Sequence, residues 1–262
     1  MATQSPAPID TDELLRQVTD MYRAVAETPH DPFHFETGRP LAERLGYPPS
    51  ELDRIPAEAL DSFAGVGYAF DLADLQAGEQ VLDLGSGSGM DAFVAALAVG
   101  GGGRVAGIDM TDAQLDKAER LRAAHGFGHV SFRRGRIEQL PFDDASFDVV
   151  ISNGVINLAP DKPGVFSEAA RVLRPGGRLA IADIVTDEPL TEAIVCDVDL
   201  WASCIGGAPQ EATYREAIAG AGLRVEATKT NPYRFLSEQA VHASRTFGVH
   251  SVSVLAVKPE GT

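Results

Sequence analysis

From Gln80 onward the chain alternates short apolar strands with helices, and no other feature of the sequence restricts its fold as strongly. Short strands joined by helices form a parallel sheet that is covered on both faces. The pattern therefore predicts an α/β, Rossmann-like fold. The predicted strands are Val81–Leu84, Arg104–Asp109, Val130–Arg134, Phe147–Ser152 and Arg178–Ile184, and the predicted helices are Met90–Val99, Thr111–His125 and Lys162–Leu173.

The regions on either side of this alternation have different patterns. An amphipathic helix begins after Asp10, which forms a predicted capping box with Glu13, and Glu27–Pro40 is turn-rich. We expect a helical cap or lid at residues 1–75 and a core at residues 76–262, with helices that cover the site inserted at about 190–222. The other predicted elements are short helices at Leu41–Leu45 and Pro56–Phe63, longer ones near Thr191–Ile205, Pro209–Gly222 and Ser237–Phe247, and strands at Arg224–Thr230 and Ser251–Val257.

Composition excludes several classes of partner. The 262 residues include 22 Lys and Arg against 38 Asp and Glu, a formal net charge of −16. Such a surface repels phosphate backbones and anionic lipids, so we expect neither nucleic-acid nor membrane partners. The N-terminus lacks the pattern of a signal peptide, and no apolar run reaches about 18 residues. On one helix, Cys196 and Cys204 would lie ~12 Å apart, too far for a disulfide, so we expect a reduced, cytoplasmic protein.

The segment "VLDLGSGSGMD" (Val81 to Asp91) is a strand, a glycine turn and the start of a helix. A dinucleotide fingerprint would need a third glycine where the chain has Met90. Asp83, two residues before the turn, would repel a pyrophosphate but could pair with an ammonium group. The turn therefore favours a cofactor with an ammonium group, and a NAD-linked dehydrogenase is the alternative.

This turn resembles motif I of the class I S-adenosylmethionine (SAM)-dependent methyltransferases, and the resemblance continues in order from Val81 to Ile184. It implies a mostly parallel seven-stranded sheet, SAM as cofactor and S-adenosylhomocysteine (SAH) as product. It also implies that Asp109 accepts hydrogen bonds from both ribose hydroxyls, and that Ile137 and Glu138 contact the adenine. The family often has Asp where this chain has Arg136. The implied cofactor residues are Asp83, Gly85, Ser86, Gly87, Gly89, Asp109, Met110, Ile137, Glu138 and Asn153.

A closer resemblance runs from about Leu14 to Pro259. The segments "LGSGSGMD", "GIDMT", "ISNGVINLAPDK" and "VLRPGGRLAIADIV" are similar to those of the arsenite methyltransferase family. Family members hold trivalent arsenic with soft thiolates. Two of their cysteines align with Val66 and Gly154, and only the third is present, as Cys204. The imidazoles of His30 and His34 match arsenic less well, so we expect no metal site.

The family scaffold without most of its thiols predicts in-line SN2 methyl transfer to a small organic acceptor with an apolar body. The expected acceptor chamber contains Tyr22, Phe33, Phe35, Val66, Gly154, Trp201 and Cys204. Ordinary packing is the alternative for Phe33, Phe35 and Trp201.

A general base is needed only if the acceptor must lose a proton. The candidates are His34, His30 and Asp183, and Asp183 could equally be a structural carboxylate. Two other functions stay open: a divergent arsenite methyltransferase that uses Cys204, and a SAM- or SAH-binding module without turnover. The chain could be a monomer or a homodimer.

Overall fold

A seven-stranded sheet forms the centre of the protein, in a computed structural model that describes residues 10–195, 201 and 205–260. The strand order is β3-β2-β1-β4-β5-β7-β6, in which β1 to β5 are parallel and β7 is antiparallel to both β5 and β6. The predicted Rossmann-like architecture is confirmed. The strands are β1 Gln80–Leu84, β2 Arg104–Asp109, β3 Val130–Arg134, β4 Phe147–Asn153, β5 Leu173–Val185, β6 Arg224–Thr230 and β7 His250–Val257.

Helices lie before the first strand and between later strands. Those before the sheet are α1 Thr11–Glu27, α2 Gly38–Leu45, α3 Pro49–Leu52, α4 Ala57–Asp61 and α5 Phe70–Ala73. Those that alternate with parallel strands are α6 Met90–Val99, α7 Asp112–Ala124 and α8 Lys162–Val172, with a 3-10 turn at Ile156–Leu158. The later ones are α9 Glu192–Val195, α10 Glu211–Gly220 and α11 Glu238–Phe247. No helix in the described ranges is long and apolar enough to cross a membrane.

Both faces of the sheet are buried, as the uninterrupted apolar strands require. Side chains of α2 to α4 share one cluster with α6 and one face of the sheet, and Tyr47 and Phe93 are among its largest members. Phe166 of α8 and Tyr214 of α10 pack on the opposite face. A third cluster joins Val18 of α1 to the later part of the chain. The N-terminal helices thus share the core of the sheet, while the predicted division after residue 75 stays a prediction.

Strand β5 begins earlier than the sequence predicts. Phe147 pairs with Leu173 and Val149 pairs with Arg178, so residues 174–177 bulge out of the ladder. Gly176 adopts φ +76° within the bulge, which a glycine tolerates without strain. Pro175, Gly176 and Gly177 therefore lie within β5, where they interrupt its pairing with β4.

The predicted capping box needs correction, whereas the predicted helix near Thr191–Ile205 is described only in part. Asp10 Oδ1 accepts hydrogen bonds from the backbone of Asp12 and Glu13, but the Glu13 side chain binds Arg16 and Gln17, so the cap is not reciprocal. The predicted helix near Thr191–Ile205 is helical at Glu192–Val195 and at Trp201, Ile205 lies in a bend, and residues 196–200 and 202–204 of that span lie outside the described residues. Cys196 and Cys204 lie outside the described residues.

Candidate active site

A cavity opens at the carboxyl ends of β1, β2 and β4, with about 1030 Å³ of empty volume that is partly open to solvent. Strand β2 lies on one side of β1 and strand β4 lies on the other, so the strand order reverses at this point. Sheets of α/β proteins bind ligands at such switch points. With one exception, the predicted cofactor residues line this cavity. They are Asp83, Gly85, Ser86, Gly87, Asp109, Met110, Ile137, Glu138 and Asn153.

The exception is Gly89, which faces Phe132 and Phe93 instead of the cavity. Its φ is +93°, and a Cβ there would lie 2.7 Å from Cζ of Phe132. Gly89 therefore lets the start of α6 pack closely on the sheet, and its contact with the cofactor stays a prediction.

The first two glycines and Asp109 together shape the loop after β1. Gly85 adopts φ +69°, and a Cβ there would lie 2.7 Å from Cβ of Val155, so a side chain would collide with the loop after β4. The Gly87 N–H donates to Asp109 Oδ2 at 3.0 Å, and the Thr111 N–H donates to Oδ1 at 2.8 Å. Asp109 thus joins the glycine loop to the start of α7.

Asp83 and Ser86 are buried polar residues with unused hydrogen-bonding capacity. Within the described ranges, neither Asp83 Oδ2 nor Ser86 Oγ has a hydrogen-bond partner. Burial raises the pKa of Asp83 well above its ordinary value, and the charges of Asp91 and Asp109 raise it further. Buried polar groups in proteins are nearly always paired. The unused atoms therefore fit a ligand that brings a positive charge and hydrogen-bond donors, as the ammonium group of SAM would.

Beside Asp83 lies a buried polar cluster that sequence reasoning missed. The Tyr47 hydroxyl donates to Asp91 Oδ1 at 2.5 Å, and Asn153 Nδ2 donates to Asp91 Oδ2 at 3.0 Å. Burial raises the pKa of Asp91 to about 6, although both hydrogen bonds oppose that shift. Asp91 lies two residues after the last glycine of the turn, so its position in the motif was a usable signal. Tyr47 gave none, because it lies 44 residues away in sequence.

Asn153 holds protein backbone in addition to lining the cavity. Its Oδ1 accepts from the backbone N–H groups of Val66 at 2.8 Å and Gly67 at 3.2 Å, and its Nδ2 donates to the Gly67 carbonyl at 2.9 Å. From the other side, the Ser251 hydroxyl of β7 donates to the Val66 carbonyl at 2.7 Å. We call residues 64–67 the strap. Asn153 and Ser251 fix the strap, and with it the position of Val66.

Replacing Asn153 by Ala is expected to lower the free energy of unfolding by about 2–4 kcal/mol, because several backbone groups of the strap lose their partners while buried. Chemical denaturation measures the change. The exposed Gln76, which donates to the Asp74 carbonyl, provides the control, and Gln76→Ala should change stability by less than about 0.5 kcal/mol. Equal stability of the two variants would contradict the assigned role of Asn153.

Gly154 and Val66 face each other beside the cavity. Gly154 adopts φ +75°, and a Cβ built on it would lie 3.3 Å from Cγ1 of Val66. These are the two positions that align with cysteines of the arsenite methyltransferase family. They are neighbours in space, although one lies in the strap and the other in the loop after β4. Gly154 lines the cavity, whereas Val66 lies directly behind it.

The end of the cavity near Gly154 is apolar. Six apolar side chains define this acceptor end, and they come from α1, the region around the strap and the loop after β4: Leu15, Val18, Phe63, Ala64, Leu158 and Ala159. Tyr22 also lines the cavity, as predicted. The acceptor end can therefore accommodate an uncharged, apolar molecule.

The other predicted chamber residues do not line the cavity. Phe35 stacks on Tyr22 with ring centroids 6.2 Å apart, and Phe33 stacks on Phe35 at 5.5 Å, so both lie behind Tyr22. Trp201 is buried, and its ring lies 4.6 Å from Nζ of Lys162. The packing alternative thus holds for Phe33, Phe35 and Trp201, and Cys204 lies outside the described residues.

Neither predicted catalytic residue reaches the cavity. The His34 ring packs edge-on against Phe35 at 4.7 Å, and His30 lines a separate surface groove. Asp183 is 1% exposed and accepts three hydrogen bonds at 2.9 Å, from the backbone of Asn157 and Ile184 and from the Tyr214 hydroxyl. Of the two possibilities left open for Asp183, the geometry supports the structural carboxylate.

The titration of Asp183 gives a stability prediction. Burial raises its pKa to about 6, against about 3.9 for an aspartate in an unfolded chain. Asp183 therefore keeps its proton up to a higher pH in the folded state than in the unfolded chain. The stability that this provides is lost as pH rises from about 4 to 6. The stability of the wild type relative to Asp183→Asn should fall by up to about 3 kcal/mol over that window in denaturation experiments. The exposed Asp31→Asn is the control, and parallel pH profiles of all three proteins would contradict the prediction.

Among the described residues, no group of three or more His, Cys, Asp or Glu side chains could hold a metal ion. The cavity instead combines buried carboxylates at its cofactor end with apolar side chains at its acceptor end. Such an arrangement fits a polar, cationic cofactor beside an apolar acceptor.

Comparison with known proteins gives a consistent result. A sequence profile described as a methyltransferase domain matches residues 75–239. An arsenite methyltransferase of Halobacterium salinarum is 41% identical over 83% of this chain and 56% of its own length. Nocamycin O-methyltransferase of Saccharothrix syringae is 36% identical over 60% of this chain and 54% of its own length. The chain thus spans about half the length of these curated relatives.

A solved structure is similar over most of both molecules. The arsenic(III) S-adenosylmethionine methyltransferase of Chlamydomonas reinhardtii superimposes with a TM-score of 0.68 at 33% identity, covering 81% of this chain and 73% of that one.

Proposed function

Because the chain belongs to the SAM-dependent methyltransferase family, we propose that its cavity binds SAM and that it methylates a small organic acceptor with an apolar body. The observation that carries the proposal is the unpaired, buried carboxylate oxygen of Asp83 at the floor of a cavity whose other end is apolar. The carboxylate calls for a cationic ligand, and the apolar end leaves space for a second molecule.

The residues at the cofactor end each suit one part of SAM. Asp83 would accept a hydrogen bond from the ammonium group, and Asp109 would accept from the ribose hydroxyls while it holds the Gly87 backbone. Ile137 would pack against the adenine. Glu138 pairs with Arg136 at 3.1 Å, so the side chain at the unusual Arg136 position orients Glu138 at the rim.

When bound, SAM supplies a methyl group on a sulfonium, which is a good leaving group. The protein therefore has to orient the acceptor in line with that group and exclude water. Leu15 and Val18 of α1 cover the acceptor end and keep it apolar. The six apolar side chains that define this end offer no general base, so an acceptor held by them alone would have to be nucleophilic in the form that enters.

Arsenite methylation is the second candidate function, because relatives bear that name and Cys204 aligns with one of the family's thiols. Val66 and Gly154 argue against it, since a single thiolate holds arsenic far less well than two or three. The relationship to nocamycin O-methyltransferase supports an organic acceptor.

Two measurements test the proposal. Calorimetry with SAM and with NAD should give binding of SAM only, and binding of NAD alone would overturn the proposal. An assay for SAH should then show turnover with apolar organic acceptors and no methylated arsenicals from arsenite, SAM and glutathione. Methylated arsenicals would favour the second function, and SAM binding without turnover on any acceptor would indicate a binding module. A cytoplasmic location and the choice between monomer and homodimer stay predictions.

A further inference from the structure

Helix α1 covers the proposed active site and is tied down at its C-terminal end. Leu15, Val18 and Tyr22 on this helix line the cavity. The Ser62 hydroxyl donates to the Val25 carbonyl at 2.9 Å, and Lys117 Nζ of α7 donates to the Ala26 carbonyl at 2.9 Å. Carbonyls in the last turn of a helix have no partner within it, and a cation there is favourable. These contacts anchor one end of α1 without touching the glycine loop.

A second contact links α1 to the glycine loop itself. Gln114 of α7 is 2% exposed, and its Nε2 donates to the carbonyl of Tyr22 at 2.8 Å. The Oε1 atom of the same amide accepts a hydrogen bond from the Ser88 hydroxyl. Ser88 follows Gly87, whose N–H binds Asp109. One side chain thus spans the distance between the loop at the cofactor end and the helix that covers the acceptor end.

We propose that Gln114 is a positioning residue that couples cofactor binding to the closure of α1 over the acceptor. The inference rests on the proposed function, because it assumes that SAM occupies the glycine loop. The Ser88 hydroxyl fixes which end of the Gln114 amide is the acceptor, and this directs the NH₂ group to Tyr22. A cofactor that orders the Gly87–Ser88 backbone would therefore also order the amide and stabilise α1 in the closed position.

A Gln114 with a merely structural role would hold α1 equally well with and without cofactor. The distinguishing measurement is hydrogen exchange of the α1 amides in the absence and presence of saturating SAH. In the wild type, SAH should slow the exchange of amides near Tyr22 on the order of 10-fold, as expected for a coupling of ordinary size. In Gln114→Met, which removes both hydrogen bonds at similar side-chain length, SAH should slow exchange less than about 2-fold.

Two further variants make the test specific. Ser88→Ala breaks only the link on the loop side and should also reduce the effect of SAH on α1, which provides a result even if Gln114→Met fails to fold. Lys117→Met removes the anchor that does not touch the loop. It should speed exchange of α1 by the same factor with and without SAH, so that the ratio between the two states stays at its wild-type value.

The outcomes separate this inference from the proposed function. If Gln114→Met and Ser88→Ala bind SAH and still show the wild-type slowing of exchange in α1, the coupling role is overturned and the proposed function stands. If the wild type binds neither SAM nor SAH, both are overturned.

Discussion

Replacing Asp109 by Ala should weaken SAM binding by about 100-fold or more. The carboxylate holds the Gly87 and Thr111 backbone and, in the proposed complex, accepts hydrogen bonds from the ribose. Hydrogen bonds to a charged group are each worth about 1.5–3 kcal/mol, and two of them account for a loss of that size. Isothermal titration with SAM measures the change directly.

The matched control is Asp112→Ala, three residues further along the chain. Asp112 is at the start of α7, its side chain is 64% exposed, and it pairs with Arg134 at 3.2 Å. Its removal should change the dissociation constant by less than about 2-fold, since exposed ion pairs contribute little. Circular dichroism of both variants checks that they are folded. Unchanged SAM affinity in a folded Asp109→Ala protein would refute the assignment of the cofactor site.

The double substitution Val66→Cys and Gly154→Cys should create an As(III) site that the wild type lacks. A Cβ at position 154 would lie 3.3 Å from Cγ1 of Val66, so two thiols at these positions would be neighbours. Two thiolates that bind one soft centre act as a chelate, and the second binds at an effective concentration in the millimolar range or higher. The apparent affinity for arsenite should therefore rise by about 100-fold or more over either single variant.

Fluorescence of the single tryptophan, Trp201, offers a readout under reducing conditions, because it belongs to the same buried cluster as Val66. The control is the double variant Val66→Ser and Gly154→Ser, which matches the polarity and the strain at φ +75° without supplying thiolates. That strain is expected to cost about 1–2 kcal/mol in both double variants. Equal arsenite affinity of the thiol and hydroxyl versions would show that the two positions do not form a site together.

The residues that line the proposed cofactor end of the cavity were predictable because their signals are local. Asp83 and Asp109 each stand at or near the end of a strand that the apolar pattern marks clearly, and Gly85 and Gly87 follow directly. The carboxyl ends of neighbouring parallel strands meet at one edge of the sheet, so sequence position translates into spatial position. Gly89 does not line the cavity, and the spacing of glycines does not tell a ligand contact from close packing.

The acceptor half could not be predicted in the same way. Asp183 also lies near the end of a parallel strand. Side chains alternate along a strand, however, and Asp183 contacts Tyr214 of α10 while Ala182 belongs to the cluster of Val66. Which face carries the site depends on where the strap lies. The strap contacts Asn153, 87 residues away from Val66, and nothing in the local sequence indicates that pairing.

The strap lies outside the part of the chain that the methyltransferase profile matches. The match to the methyltransferase profile ends at residue 239, and it begins at residue 75, so neither the strap nor Ser251 falls within it. The hydrogen bond between Ser251 and Val66 joins residues 185 positions apart, which makes it one of the last contacts the growing chain can form. The cofactor end is built from consecutive motifs, whereas the acceptor end is completed only when the last strand is added. Substitutions in those two outlying segments can therefore change the acceptor while the cofactor motifs stay intact.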